Sequence, residues 1–207
     1  MKTLGKVLAL IAPLMLAGLA LGGTATAADA PAGKKQPTYY EFVLGNPNAK
    51  VTVVEYASVT CPHCAKFFVE SFPNLKKDYI DTGKIKYVYR DLPTPPRELS
   101  FAASQLARCV PNNKGMNMIE MLFKNQEAWM SAPETTLRGY AQLAGMSSAD
   151  FDACMKNESI YKELNAAVDR ASNVYKVEST PTFFVGETKV AGEQYEPLKK
   201  AIDKALQ

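Results

Sequence analysis

Two cysteines three positions apart, in the run Cys61-Pro62-His63-Cys64, constrain this chain more than any other feature. At that spacing both can sit one turn apart on a helix and face each other. The strand-like residues Tyr56-Ala57-Ser58-Val59-Thr60 run out just before Cys61, and an apolar-periodic stretch, Phe67 to Tyr79, follows. The pattern predicts a helix opening at Cys61, with Pro62 in its first turn, where a missing N–H costs nothing. A thiolate at that position meets unpaired backbone N–H groups and the positive end of the helix dipole. Its pKa is expected to fall below the free value of about 8.5. Cys64, one turn deeper, is expected to be the shielded partner. His63, the single histidine of the chain, is expected to lower the Cys61 pKa further through its charge or a hydrogen bond.

A Cys-x-x-Cys can also be half of a zinc site or a short structural bridge. A closed zinc site wants four ligands. Cys109 and Cys154 are far from each other in sequence, and no second histidine exists. The redox dithiol is the stronger reading, with no metal and no cofactor expected.

Residues 1–27 read as an export signal. Lys2 and Lys6 form a short basic region, Val7 to Leu21 is apolar, and Ala25-Thr26-Ala27 is a small-x-small cleavage signal. The apolar run is shorter than the roughly 20 residues a spanning helix needs, though an uncleaved anchor is the alternative. Export implies an oxidising compartment, where disulfides persist. Removing residues 1–27 takes away two lysines and no acid, so the formal charge falls from +3 to +1. A near-neutral chain offers no electrostatic case for nucleic acid or an anionic membrane. Residues 28–38 read as a mobile leader.

Tyr39 to Leu44 is predicted as a first strand, Lys50 to Ala57 as a Val-rich central strand, and Ile85 to Arg90 as a third. Pro73 is expected to kink or divide the helix that starts at Cys61. Glu55 falls on the same face of its strand as Val51 and Val53. Either it reaches solvent at the strand end, or it is a buried acid near Cys64 with a raised pKa, able to exchange protons with that thiol. From about Glu98 to Val177 the periodicity is helical, in five segments, one of them carrying Met118, Met121, Leu122 and Trp129 as core. Ser147 and Asp150 form a capping box before Phe151. Cys109 and Cys154 fall in this block. In an exported chain they are most simply a structural disulfide, closing a long loop for about 4 kcal/mol on the chain-entropy model. A pair of free thiols is the alternative. After Ser179-Thr180-Pro181 come two short strands, Thr182 to Val185 and Lys189 to Ala191, and a closing amphipathic helix, Glu196 to Leu206.

This order of pieces resembles a thioredoxin fold with an inserted all-helical domain, as in the periplasmic DsbA-like thiol:disulfide oxidoreductases. Cys61-Pro62-His63-Cys64 has DsbA's two inner residues. Glu55 stands six residues before Cys61, where that superfamily carries its buried acid. Thr180-Pro181 matches the cis-proline loop beside the active site. The run Phe123 to Trp129 and the Cys109/Cys154 pair look like the alphaproteobacterial branch. The resemblance implies an α/β fold in which 39–95 and 178–207 form the thioredoxin-like domain and 96–177 the insert. It implies catalytic Cys61 and Cys64, supported by Pro62, His63, Glu55, Thr180 and Pro181. It also implies a periplasmic monomer that donates its disulfide to cysteine-containing exported proteins, and a quinone-linked, DsbB-like membrane partner that reoxidises it. Thr180 stands where DsbA has valine, a choice also seen in isomerases. A disulfide isomerase or reductase kept reduced, or a periplasmic copper-binding protein, are the alternative functions.

Overall fold

The computed structural model describes residues 37–207. The expected export signal and nearly all of the leader lie outside the described residues. Strands β1 (Phe42–Gly45), β2 (Val51–Ala57), β3 (Ile85–Asp91), β4 (Thr182–Val185) and β5 (Thr188–Ala191) form one sheet in the order β1-β3-β2-β4-β5. β2 and β3 run parallel; every other pairing is antiparallel. β1 begins three residues later than the pattern predicts. The reason is Arg108, whose Nε donates to the Tyr40 carbonyl at 3.1 Å and whose guanidinium lies 4.4 Å from the Tyr39 ring, drawing that segment out of the ladder.

The chain leaves β2 into α1 (Pro62–Lys66), a π-helical turn Phe67–Ser71, α2 (Phe72–Leu75) and a second π-helical turn Lys76–Ile80. Pro73 does not break this helix. The hydrogen-bond spacing widens ahead of it, and the proline then sits in the first turn of α2, where no N–H is required of it.

Between β3 and β4 lie α3 (Arg97–Cys109), α4 (Gly115–Lys124), α5 (Gln126–Ser131), α6 (Pro133–Leu143), α7 (Ser148–Met155) and α8 (Glu158–Asn173); α9 (Tyr195–Ala205) closes the described chain. The segment expected as one helix around Met118 and Trp129 is two. Asn125 leaves helical geometry at φ −122°, and its side chain donates to the Met121 carbonyl at 2.9 Å. Trp129 is fully buried, and its indole N–H caps the Leu122 carbonyl at 3.0 Å, so the broken ladder stays satisfied. The Ser147 hydroxyl accepts from the Asp150 N–H at 3.1 Å and opens α7. Cys109 and Cys154 are joined as a disulfide between α3 and α7, with their Cα atoms 6.0 Å apart.

The two-residue strand period divides the sheet's side chains between two cores. Val53, Tyr87, Tyr89, Phe183 and Val185 face the helix that starts at Pro62, together with Leu198 and Ile202 of α9. Tyr56, Val54 and Phe184 face the other way, against Phe101 of α3 and Leu164, Val168 and Ala171 of α8. Both faces of the sheet are therefore covered, as its parallel central pair requires. Among the described residues no helix is long and apolar enough to cross a membrane.

Candidate active site

The residues that end β2 are held by hydroxyls. Ser58 Oγ lies 2.9 Å from both Thr60 Oγ1 and Ser100 Oγ, and accepts from the Thr94 N–H at 3.0 Å. Thr60 Oγ1 donates to the Thr94 carbonyl at 2.8 Å. This network ties the loop to the start of α3, and the Cys61 N–H closes it by donating to the Ser58 carbonyl at 3.0 Å. Cys61 is then the N-cap of α1, with extended backbone (φ −83°, ψ 121°), and Pro62 follows in the first turn.

The two thiols differ in character. Cys61 is 6% exposed and Cys64 is completely buried. The Cys61 pKa is lowered to about 5. The hydrogen bond from the Cys64 thiol is the main cause; burial opposes it, and the Thr180 side chain and the backbone N–H groups of Cys64 and His63 assist. The Cys64 pKa is pushed well above its ordinary value, chiefly by burial, then by its bond to Cys61 and by the charges of Cys61 and Glu55. The Cys61 sulfur also lies 3.4 Å from the Thr180 carbonyl oxygen. The Thr180–Pro181 peptide is cis, and Pro181 is buried.

Glu55 does not reach solvent. It is fully buried on the face beneath α1, opposite Tyr89 of β3 and Phe183 of β4. The Tyr87 hydroxyl donates to one carboxylate oxygen, and the other has no partner among the described residues. Burial raises the Glu55 pKa to about 8, against the Tyr87 hydrogen bond and with the Cys61 charge adding to the rise. Near neutral pH the group is largely a neutral acid.

His63 departs from expectation. Its side chain is 66% exposed and turns to Glu193, with Nδ1 3.5 Å from Oε2, while Lys66 reaches the same carboxylate at 3.4 Å. What His63 gives the Cys61 sulfur is its backbone N–H. The physical reason is that first-turn N–H groups point at the N-cap, whereas the side chain of His63, at the second position of this helix, leans outward to water.

Six contributors escaped the sequence reading. Tyr87 sits on an adjacent strand, and only the register reveals that it reaches Glu55. Ser58, Thr60, Thr94 and Ser100 read as ordinary loop and helix residues. Gln126, inside the run Phe123 to Trp129, donates from Nε2 to the carbonyls of Val59 at 2.8 Å and Cys61 at 3.0 Å. Its one signal is its place beside a helix break.

A low-pKa and a shielded thiol at the head of a helix, on a sheet of this topology with a helical insert, define a thioredoxin-fold protein with a dithiol site. The chain belongs to the thioredoxin family, whose model matches residues 38–204. Within that family it is DsbA-like. Its structure resembles that of Wolbachia pipientis alpha-DsbA1, with a TM-score of 0.74 and 27% identity over 82% of this chain and 92% of that one. A structure titled protein-disulfide isomerase from Novosphingobium aromaticivorans resembles it with a TM-score of 0.70 and 27% identity, over 81% of this chain and 97% of that one. A Rickettsia bellii relative that carries the provisional name protein-disulfide oxidoreductase is 35% identical over 81% of this chain and 65% of its own length. The chain spans 60–65% of the length of the Rickettsia relatives it matches.

Proposed function

We propose that the protein is a thiol:disulfide oxidoreductase that donates the Cys61–Cys64 disulfide to exported proteins. The observation that carries this reading is the opposite displacement of the two thiols, Cys61 down to about 5 and Cys64 up. A low-pKa thiol is a good leaving group, and a stabilised thiolate favours the reduced pair, which makes the disulfide an oxidant. A substrate thiolate attacks Cys61 Sγ, forming a mixed disulfide and releasing Cys64 as a thiolate that takes up a proton. A second substrate thiolate then attacks the substrate sulfur and releases Cys61. The substrate loses two electrons and gains one disulfide; the enzyme gains both electrons. In this reading Glu55, neutral near pH 7 and near enough for its charge to bear on Cys64, supplies the Cys64 proton. The Thr180–Pro181 loop offers backbone beside the Cys61 sulfur, where an extended peptide can add as a strand.

Reoxidation by a quinone-linked, DsbB-like membrane partner, a monomeric state and a periplasmic location belong to the same proposal as what the DsbA-like resemblance implies; for the location, the signal-like N-terminal sequence adds support. Two observations favour a second reading, an isomerase kept reduced: Thr180 precedes Pro181, and one similar structure carries an isomerase title. Equilibrating the Cys61–Cys64 pair with glutathione, and mixing the oxidised protein with a reduced dithiol peptide, separates the two. An oxidase equilibrates as a strong oxidant and oxidises the peptide stoichiometrically. A pair oxidised even by mildly oxidising glutathione supports the isomerase.

A further inference from the structure

The corner between α4 and α5 grips the active-site segment at two points. At the first, the Phe123 ring stacks on Phe68 with centroids 4.3 Å apart, and Phe68 stacks on Phe72 at 4.4 Å. At the second, Gln126 Nε2 donates to the carbonyls of Val59 and Cys61. Both amide hydrogens are thereby used. A flipped amide would set Oε1 against two carbonyl oxygens, so one orientation fits. The mount is stiff, because Asn125 closes α4 and the buried Trp129 bonds back to Leu122.

We propose that Gln126 is a positioning residue for Cys61: an amide carried by the helical insert fixes the backbone around Cys61 and so sets how strongly its thiolate is stabilised. The inference rests on the thiol-exchange reading above and names what tunes that site. The Cys61 sulfur hangs between an N–H held by the Ser58 carbonyl and a carbonyl that accepts from both Ala65 N–H, at 3.1 Å, and Gln126. The groups that stabilise the thiolate, namely the Cys64 thiol, Thr180 and two backbone N–H groups, act through directional hydrogen bonds. Turning the peptide at Cys61 moves the sulfur relative to all of them. Among the described residues, Gln126 is the side chain that binds the Cys61 carbonyl itself.

The test compares the full wild-type chain with Gln126→Met, which keeps the stem and loses the donors, and with Gln126→Glu, which turns an acceptor toward the two carbonyls. Three readouts are taken: the pH dependence of Cys61 alkylation, the equilibrium with glutathione, and the rate of peptide oxidation. In Gln126→Met the alkylation profile should move to higher pH, and the equilibrium should shift about three- to tenfold toward the disulfide, the size of one or two net hydrogen bonds. Gln126→Glu should move further the same way, because it also brings negative charge toward the thiolate. A role in folding alone would lower the melting temperature and leave the alkylation profile in place, which overturns the proposal. Should Gln126→Met fail to fold, Gln126→Glu and the shorter Gln126→Asn read the same profile; a set in which all three are unfolded assigns Gln126 to folding and overturns it too. A wild type that fails to oxidise the peptide ends the functional reading, whereas unchanged profiles in variants of an active wild type end only this one.

Discussion

The two cysteine pairs of this chain stand in opposite states. Cys61 and Cys64 are free thiols at the head of α1, where backbone N–H groups and the Thr180 side chain bear on one sulfur. Cys109 and Cys154 are bonded across α3 and α7, in a junction held by other side chains. There the Gln105 amide donates to the Cys154 carbonyl, and Arg108 pairs with the buried Asp91 while donating to the Ser104 carbonyl at 2.8 Å. Arg108 also lies 4.4 Å from the Tyr39 ring and 4.8 Å from Phe42. The difference teaches that reactivity belongs to the surroundings of a sulfur. At the helix head the Cys64 thiol and backbone N–H groups bear on the Cys61 sulfur; in the helix–helix junction the two sulfurs are bonded to each other.

The largest effect expected follows from that contrast. Cys61→Ser should lower oxidation of a dithiol peptide by about a thousandfold or more, because the attacked sulfur is gone. The double variant Cys109→Ser/Cys154→Ser should stay within about twofold of wild type, since the pairs share no partners. A folded double variant without activity would join the two pairs in one electron path and end the comparison.

The second pair should declare itself in stability. Losing the Cys109–Cys154 bond frees a long loop in the unfolded chain and should cost roughly 2–4 kcal/mol, read as a lower urea midpoint with a somewhat steeper slope, since the freed chain exposes more surface. An unchanged midpoint would mean that the Arg108–Asp91 pair and the helix packing already do what the bond does.

Much of the fold was legible because it is written in local pattern. The strands show period two, the insert shows helical period, and Pro62 and the Ser147–Asp150 box punctuate them. Cys61 was legible as a helix N-terminus because strand residues stop just before it. What stayed hidden depends on register and on approach from far along the chain. Nothing local to Tyr87 says that its hydroxyl meets Glu55, since that follows from Val53 and Tyr87 being partners across β2 and β3. Gln126 meets Cys61 only because the insert folds back over the loop. His63 does lower the Cys61 pKa, but through its backbone N–H: spacing along a helix tells which residues are near its end, and not whether backbone or imidazole turns to the sulfur.

A third outcome concerns how each pair couples to folding. In the reduced protein the Cys61 pKa is about 5 when folded, against about 8.5 for an unfolded thiol. A depressed acid stabilises the fold fully above the unfolded value, and that gain is lost as pH falls through the folded one. The disulfide form has no thiolate and gains nothing, and its loop is too short for a large entropic benefit. In the Cys109→Ser/Cys154→Ser background the reduced protein should therefore unfold at higher urea than the oxidised one at pH 7, and the gap should close toward pH 4. The Cys109–Cys154 bond should show the ordinary order, oxidised above reduced. If the Cys61–Cys64 pair shows the ordinary order too, its thiolate is not held by the helix end, and the isomerase reading moves ahead.

The smallest effect expected lies under the first pair, at Glu55. Its pKa is raised to about 8 in the folded protein, from about 4.3 when unfolded. Between those values the native state holds a proton that the unfolded state has released, so this group withdraws stability as pH rises from about 4 to about 8. Glu55→Gln removes the titration and keeps an acceptor for the Tyr87 hydroxyl. The variant should match wild type most closely near pH 4, then gain on it steadily up to about pH 8 and run parallel above. Catalysis should respond at one step alone. Mixed-disulfide formation at Cys61 is the step that expels Cys64; without its local proton donor it should slow about tenfold at pH 7, less than a full general-acid contribution because solvent substitutes slowly. The second step, which expels Cys61, should change less than about twofold. Urea unfolding across pH 4 to 9 and stopped-flow exchange measure the two halves. A stability difference that stays flat over that range would mean that Glu55 is already ionised in the folded protein, and it could not then be the source of the Cys64 proton.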